Sequence, residues 1–277
     1  MHFKEFLENQ LSDTVCHDIL PHKFHLVGHV ALVHLKTEAM EYAEKIGNSI
    51  LSFDNRIESV AVRTGPTKGE KRFPMYKLVA GNPVTVTTHM EHGVKFRLDP
   101  LRLTFSGGNV RERIHMPTLV EAGELVVDMF ACVGQFGLHI AKRSKAKVIA
   151  IEINPEAYTF LIENIKLNQV GNLMTAILGD CRDVHPVGKA NRVVMGYLHD
   201  TIQYLPNALE TLVPEGGWVH MHLAIPEIET QNICNTIDTI SNDHEYSSSV
   251  GIRKIKHYSP KIIHYVFDIK LEKTQET

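Results

Sequence analysis

The chain has 277 residues, is 43% hydrophobic and 22% charged, and carries a formal net charge of −3. That length holds one large domain or two modest ones of a globular protein. The charge excludes a globally basic nucleic-acid binder. No apolar run approaches the ~20 residues of a membrane helix. The start, Met1-His2-Phe3-Lys4-Glu5-Phe6-Leu7-Glu8, lacks the charged-then-apolar layout of a secretion signal. A cytoplasmic protein with no membrane partner is expected.

Residues 1 to about 20 read as a short helical lead, Val27–Val33 as a strand, Glu38–Ile50 as a helix and Ser59–Arg63 as a strand. The Gly- and Pro-bearing stretch Thr64–Arg72 reads as a loop. Three strand candidates follow, Lys77–Ala80, Val84–His89 and Val94–Leu98, separated by Gly81-Asn82-Pro83 and Glu91-His92-Gly93. Residues 1–105 are therefore expected to form a small α+β domain with an antiparallel sheet.

From about Leu119 strands alternate with helices, which argues a parallel sheet covered on both faces. The expected pairs are Leu125–Met129 with Phe136–Arg143, then Val148–Glu152 with Pro155–Asn168. Ala176–Leu178 leads to a turn at Gly179-Asp180, and Arg192–Met195 leads to a helix containing Tyr204–Leu212. Trp218–Leu223 precedes a helix over Pro226–Ser241. Ser247–Lys254 and Ile262–Leu271 read as an antiparallel pair at the sheet edge. Residues 106–277 are thus expected to form a Rossmann-like α/β domain.

Acidic residues end the first three of these strands: Asp128, Glu152 and Asp180. The first strand runs into Phe130-Ala131-Cys132-Val133-Gly134, a small-residue turn that lets backbone amides at a helix start approach a ligand. A carboxylate at Glu152 suits two vicinal ribose hydroxyls. A dinucleotide dehydrogenase shares this layout, but its pyrophosphate needs G-x-G-x-x-G, and the turn here is Ala-Cys-Val-Gly-Gln-Phe-Gly. S-adenosylmethionine has no phosphate and tolerates Ala131 and Cys132. The final antiparallel pair also suits a class I S-adenosylmethionine-dependent transferase. Asp180 suits the adenine amino group.

The four cysteines are far apart and form no C-x-x-C pair, and the 17 histidines form no ligand pair on an evident helix, so no metal is expected. Cys132 and Cys181 read as small residues filling tight space. Two basic clusters stand out. Arg63, Lys68, Lys71, Arg72 and Lys77 face Glu70 alone within one stretch, and Arg253, Lys254, Lys256 and Lys261 lie close together with His257. Either can bind phosphates, and either can be a solvated loop.

Further motifs are Gly65-Pro66-Thr67-Lys68-Gly69-Glu70, Glu91-His92-Gly93-Val94-Lys95-Phe96-Arg97-Leu98-Asp99, Phe105-Ser106-Gly107-Gly108-Asn109 and Glu112-Arg113. With the turn above, the stretch from about Ser59 to Leu271 resembles the superfamily of tRNA guanine-N1 methyltransferases and wybutosine-synthesis proteins. The methyltransferases carry an N-x-P-type motif after the fourth strand; this chain has Met195-Gly196-Tyr197 there. That departure matches the wybutosine-synthesizing protein 2 family, which transfers the 3-amino-3-carboxypropyl arm of S-adenosylmethionine.

The resemblance implies such transfer to 4-demethylwyosine beside the anticodon of phenylalanine tRNA. It implies Ser106 and Arg113 at the methionine part of the donor, Glu152 at the ribose, and Asp180 with the Cys181 backbone at the adenine. Asp128, Phe130 and Gly134 form the first turn. Tyr197 or His199 can flank the target base by stacking or serve packing alone, and Arg63, Lys68, Lys71 and Arg72 are expected to meet tRNA phosphates. No general base is evident. The alternatives are guanine-N1 methyl transfer and a non-catalytic tRNA-binding module. A monomer is expected, because no heptads are present.

Overall fold

The computed structural model describes residues 2–274 and divides into two compact units, Met1–Gly108 and Asn109–Thr277.

In the first unit the chain order is α1 (Phe3–Leu11), β1 (Phe24–Val27), β2 (Val30–Val33), α2 (Ala43–Leu51), β3 (Ser59–Arg63), β4 (Tyr76–Gly81), β5 (Thr87–Glu91) and β6 (Val94–Leu98). The single strand expected over Val27–Val33 is a hairpin. Gly28 (φ +57) reverses the chain, and Val27 pairs with Val30. The expected antiparallel sheet is also corrected. β1–β2 and β3–β4 are antiparallel, but β2 and β3 run parallel. The reason is α2, which carries the chain back between β2 and β3; such a crossover joins parallel neighbours. β5 and β6 form a separate two-stranded ribbon. Leu7 and Leu11 of α1 and Ile46 and Ile50 of α2 bury their apolar stripes against Val60 and Val62 of β3. The helix expected over Glu38–Ile50 begins as a 3-10 segment, Thr37–Tyr42, and becomes α-helical at Ala43.

The second unit runs α3 (Val110–His115), β7 (Leu125–Asp128), α4 (Gly137–Ser144), β8 (Lys147–Glu152), α5 (Pro155–Leu167), β9 (Met174–Leu178), α6 (Cys181–Val184), β10 (Arg192–Leu198), α7 (Leu205–Thr211), β11 (Gly216–Ile225), α8 (Thr230–Asp243), β12 (Tyr246–Ser259) and β13 (Ile262–Lys273). Its seven-stranded sheet has the order β12-β13-β11-β10-β7-β8-β9. β7 to β11 are mutually parallel, and β13 is antiparallel to β11 and to β12. This is the Rossmann-like transferase sheet with its antiparallel edge pair. β12 and β13 run longer than read from the sequence, because pairing continues past bulges after Lys254 and His257.

The inner strands are fully apolar where both faces are covered, as in Val193, Val194 and Met195 of β10. Leu205, Ala208 and Leu209 of α7 and Ile237 of α8 pack over one face against Val219, Met221 and Phe267. Strand order reverses at β7, whose successor β8 lies to one side and β10 to the other. Crevices at such reversals, outside the carboxyl ends, are where α/β sheets hold ligands. Among the described residues no helix is long and apolar enough to cross a membrane.

Candidate cofactor and substrate site

Asp128 ends β7 with no solvent exposure. Its carboxylate accepts from the backbone N–H groups of Phe130 (3.4 Å) and Gly137 (3.2 Å), so it ties both limbs of the following turn together. Burial pushes its carboxyl up to about 7, opposed by those two amides and reinforced by the Glu152 carboxylate. The folded protein therefore holds a proton that the unfolded chain releases near pH 4. Stability from this group is present at low pH, falls as pH rises from about 4 to about 7, and is level above. Denaturant titrations of the parent and Asp128→Asn across that window should differ by a pH-dependent amount on the order of 4 kcal/mol. A pH-independent difference would contradict this assignment.

The turn itself depends on Gly134, which sits at φ +93. A Cβ there would lie 2.8 Å from Leu138 and 3.1 Å from Leu161. The Asn164 amide, buried in the last turn of α5, donates to the Val133 carbonyl (3.0 Å) and fixes the turn from outside. Gly134→Ala is expected to destabilise the protein by about 1–3 kcal/mol and to weaken donor binding at least about tenfold. Calorimetry and a thermal melt check both.

Glu152 ends β8. One carboxylate oxygen accepts from the Cys132 N–H (2.6 Å) and the other from the Asn154 N–H (2.7 Å). The carboxylate is thereby held in one orientation beside the turn. Cys132 has φ +49. Its thiol is pushed up to about 12 by desolvation and the Glu152 charge, and the buried Cys181 thiol rises to about 12 chiefly by burial. Neither is a thiolate nucleophile near neutral pH, in keeping with their reading as space-filling residues.

Asp180 follows β9 and caps α6 by accepting from the Arg182 N–H (2.9 Å). It also pairs with the Arg182 guanidinium, which lies over the Tyr204 ring at 5.4 Å. Phe130 and Tyr197 stack at 5.2 Å with an interplanar angle of 21°, and Tyr204 meets both edge-on. His199 meets Tyr258 of β12, with Nε2 3.1 Å from the phenol oxygen. Arg113 on α3 is 1% exposed and donates to the Gln135 side chain (3.2 Å) in the turn.

The second unit thus gathers Arg113, Asp128, Phe130, Gly134, Glu152, Asp180, Cys181, Tyr197 and His199 around the ends of β7 to β10. Ser106, Arg63, Lys68, Lys71 and Arg72 belong to the first unit. There Lys68 and Phe73 form a two-residue bridge, so the loop holding Lys68, Lys71 and Arg72 is a closed structure. Arg63, Lys68 and Lys71 are exposed and Arg72 is half-buried.

Gln135, Asn164, Tyr204 and Tyr258 escaped the sequence reading. Asn164 left one signal, an amide among apolar neighbours at helical spacing. The other three left none. Among the described residues no cluster of His, Cys, Asp and Glu is arranged to hold a metal ion.

A family model described as TRM5/TYW2 methyltransferase domain matches residues 87–249, and one described as TYW2 N-terminal domain matches residues 3–85. The chain belongs to the TRM5/TYW2 family. The tRNA(Phe) (4-demethylwyosine(37)-C(7)) aminocarboxypropyltransferase of Pyrococcus horikoshii is 36% identical over 98% of this chain and 96% of that protein. The tRNA (guanine(37)-N(1))-methyltransferase Trm5b of Pyrococcus abyssi is 32% identical over 91% of this chain and 76% of its own length. The crystal structure of P. horikoshii TYW2 in complex with MeSAdo superimposes with a TM-score of 0.86 at 34% identity, covering 98% of this chain and 100% of that one. The structure of M. jannaschii TYW2 in complex with AdoMet gives 0.73 at 32% identity, covering 91% and 100%. Family membership matches the resemblance carried by the Gly65–Glu70, Glu91–Asp99, Phe105–Asn109 and Glu112-Arg113 motifs with the cofactor turn, and the transferase fold matches the strand and helix alternation.

Proposed function

We propose that this protein transfers the 3-amino-3-carboxypropyl arm of S-adenosylmethionine to 4-demethylwyosine next to the anticodon of phenylalanine tRNA. It is an S-adenosylmethionine-dependent tRNA-modifying transferase. In this reading it acts as a monomer in the cytoplasm.

The residues fit the donor. Gly134 gives the turn a backbone conformation, φ +93, that side chains rarely adopt, the Glu152 carboxylate is pre-oriented by two amides, and Arg113 is a buried guanidinium suited to a carboxylate. The donor's sulfonium makes each attached carbon electrophilic, so the carbon aimed at the acceptor reacts. Selection among them is a matter of positioning. Glu152 takes the ribose hydroxyls, Asp180 and the Cys181 backbone take the adenine, and Arg113 takes the methionine end. Tyr197 offers its ring to the acceptor base, with His199 beside it. Arg63, Lys68, Lys71 and Arg72 meet tRNA phosphates.

The observation that carries the choice of arm over methyl is the end of β10. Where the methyltransferases place a polar side chain for guanine, this chain has Gly196 packed against Phe136 and Tyr197 stacked on Phe130. The relative solved with MeSAdo supports the same choice, since that thioether is what remains of the donor when the arm leaves. Arm transfer forms a carbon–carbon bond at the base, breaks the carbon–sulfur bond, and releases the displaced ring proton.

Mass spectrometry of tRNA carrying the tricyclic precursor should show the gain of one aminocarboxypropyl group. Gain of a methyl group on guanosine-containing tRNA would establish the methyltransferase reading. No change with either, together with tRNA binding, would establish a binding module.

A further inference from the structure

The β12–β13 hairpin carries the basic cluster that the donor site does not use. β13 pairs with β11 from Glu272 opposite Gly216 to Ile263 opposite Ile225. The connection Ser259-Pro260-Lys261 therefore lies at the carboxyl end of β11. β7 and β10 run parallel to β11 and end on the same side. The hairpin tip is thus on the site's side of the sheet.

A side-chain contact beside the β11 ladder also holds it there. The Tyr258 phenol and the His199 ring are 3.1 Å apart at their polar atoms and meet edge-on with centroids 5.4 Å apart. His199 is two residues beyond Tyr197.

From residue 246 to 267 the sequence has no Asp or Glu, while Arg253, Lys254, Lys256 and Lys261 add positive charge. These cations differ in what they do. Arg253 is turned inward and held by Glu112 and Asp268. Lys256 is half-buried. Lys254 is exposed with one acid, Glu227, at 4.0 Å. Lys261 and His257 are exposed, and Tyr258 is 43% exposed. A lysine-bearing tip is ordinarily just solvated. This one sets exposed cations and an aromatic face at the rim of a strand-end site, the combination that suits a single-stranded RNA backbone with splayed bases.

We propose that the β12–β13 tip is an RNA-contacting element: Lys254 and Lys261 meet phosphates flanking the modified nucleotide, and Tyr258 offers a stacking surface to a neighbouring base. The proposal rests on the tRNA reading above and adds a contact surface within the second unit.

The test is tRNA affinity as a function of salt for the full chain and two variants. The first is Lys254→Ala with Lys261→Asn. Lys261 has φ +66, a conformation asparagine tolerates. The second is Tyr258→Ala. The double variant should bind about tenfold or more weakly near physiological salt. Its log–log salt slope should be shallower by roughly 1.4–1.8, because each lost phosphate contact removes about 0.7–0.9. Tyr258→Ala should weaken binding about tenfold with the slope unchanged, as expected for lost stacking. Calorimetric S-adenosylmethionine affinity of the double variant should match the parent, and both variants should keep a cooperative thermal melt near the parent's, which shows that the fold is intact.

If the parent binds and modifies tRNA and the double variant shows the same affinity and slope, the tip is a solvated turn and this proposal alone fails. It fails equally if the double variant changes only self-association in sedimentation. A parent that binds no tRNA overturns the functional reading as well.

Discussion

Replacing Glu152 by alanine should weaken S-adenosylmethionine binding at least about 100-fold. A hydrogen bond to a charged acceptor contributes about 1.5–3 kcal/mol, so losing two from the ribose removes roughly 3 kcal/mol or more. The carboxylate is oriented by the Cys132 and Asn154 amides at 2.6 and 2.7 Å. Alanine therefore also leaves two donors without that acceptor, next to a residue already at φ +49. Glu152→Gln separates the effects. It keeps one acceptor oxygen for the backbone, restoring part of the stability, but it cannot accept from both amides and the diol. Calorimetry with the donor and with adenosine should show the same deficit, since the lost contact is to the ribose. Unchanged affinity in Glu152→Gln would remove Glu152 from the donor site.

Replacing Arg192 by methionine should destabilise the protein by about 3–5 kcal/mol, a melting-point loss of roughly 10 °C. Arg192 is 4% exposed at the start of β10 and grips Glu124 with two hydrogen bonds, at 2.7 and 3.0 Å. Its third nitrogen lies 2.7 Å from His220 Nε2. Arginine can only donate, so Nε2 accepts and the His220 proton sits on Nδ1, donated to Asp268 at 2.5 Å. Burial, with Arg192 and Arg253 nearby, lowers the His220 pKa despite Asp268, in agreement with that neutral tautomer. Asp268 in turn pairs with Arg253, and Arg253 with Glu112.

The chain of contacts thus runs from Glu124 across β10, β11, β13 and β12 to α3, the helix that carries Arg113. Met at 192 leaves Glu124 and His220 without their donor. Adding Glu124→Met should recover part of the loss, because the stranded carboxylate is removed with its partner. Failure of the double variant to recover any stability would show that the pair does not act as one unit.

The second unit was legible in the sequence because its strands are short apolar runs, two with acidic ends, that alternate with helices; the helix expected over Pro226–Ser241 differs in its bounds, being α-helical over Thr230–Asp243 after a 3-10 turn at Glu227–Glu229. Pro155 opens α5, and β7 and β8 end at Asp128 and Glu152, as read. The first unit was less legible. The run Val27-Gly28-His29-Val30-Ala31-Leu32-Val33 is apolar throughout except for the two residues that reverse it, so a hairpin looked like one strand. The parallel pairing of β2 with β3 followed from the helix between them, a rule that the string of later strand candidates obscured.

The polar network was invisible. Arg253 and Glu112 are 141 residues apart, and each alone reads as a surface charge. The candidate site residues were legible where backbone chemistry demands them, at Gly134 and at the strand ends. They were hidden where only tertiary packing brings them in, as with Gln135 beneath Arg113 and Tyr258 beside His199.

The function turns on which carbon of the donor reaches the RNA. The direct measurement is a single-turnover reaction with tRNA bearing the tricyclic precursor, using S-adenosylmethionine labelled separately in the methyl group and in the carboxyl of the arm. Carboxyl label entering the RNA, with methyl label retained in the small-molecule product, is the predicted result. Methyl label in the RNA and carboxyl label left behind would contradict it.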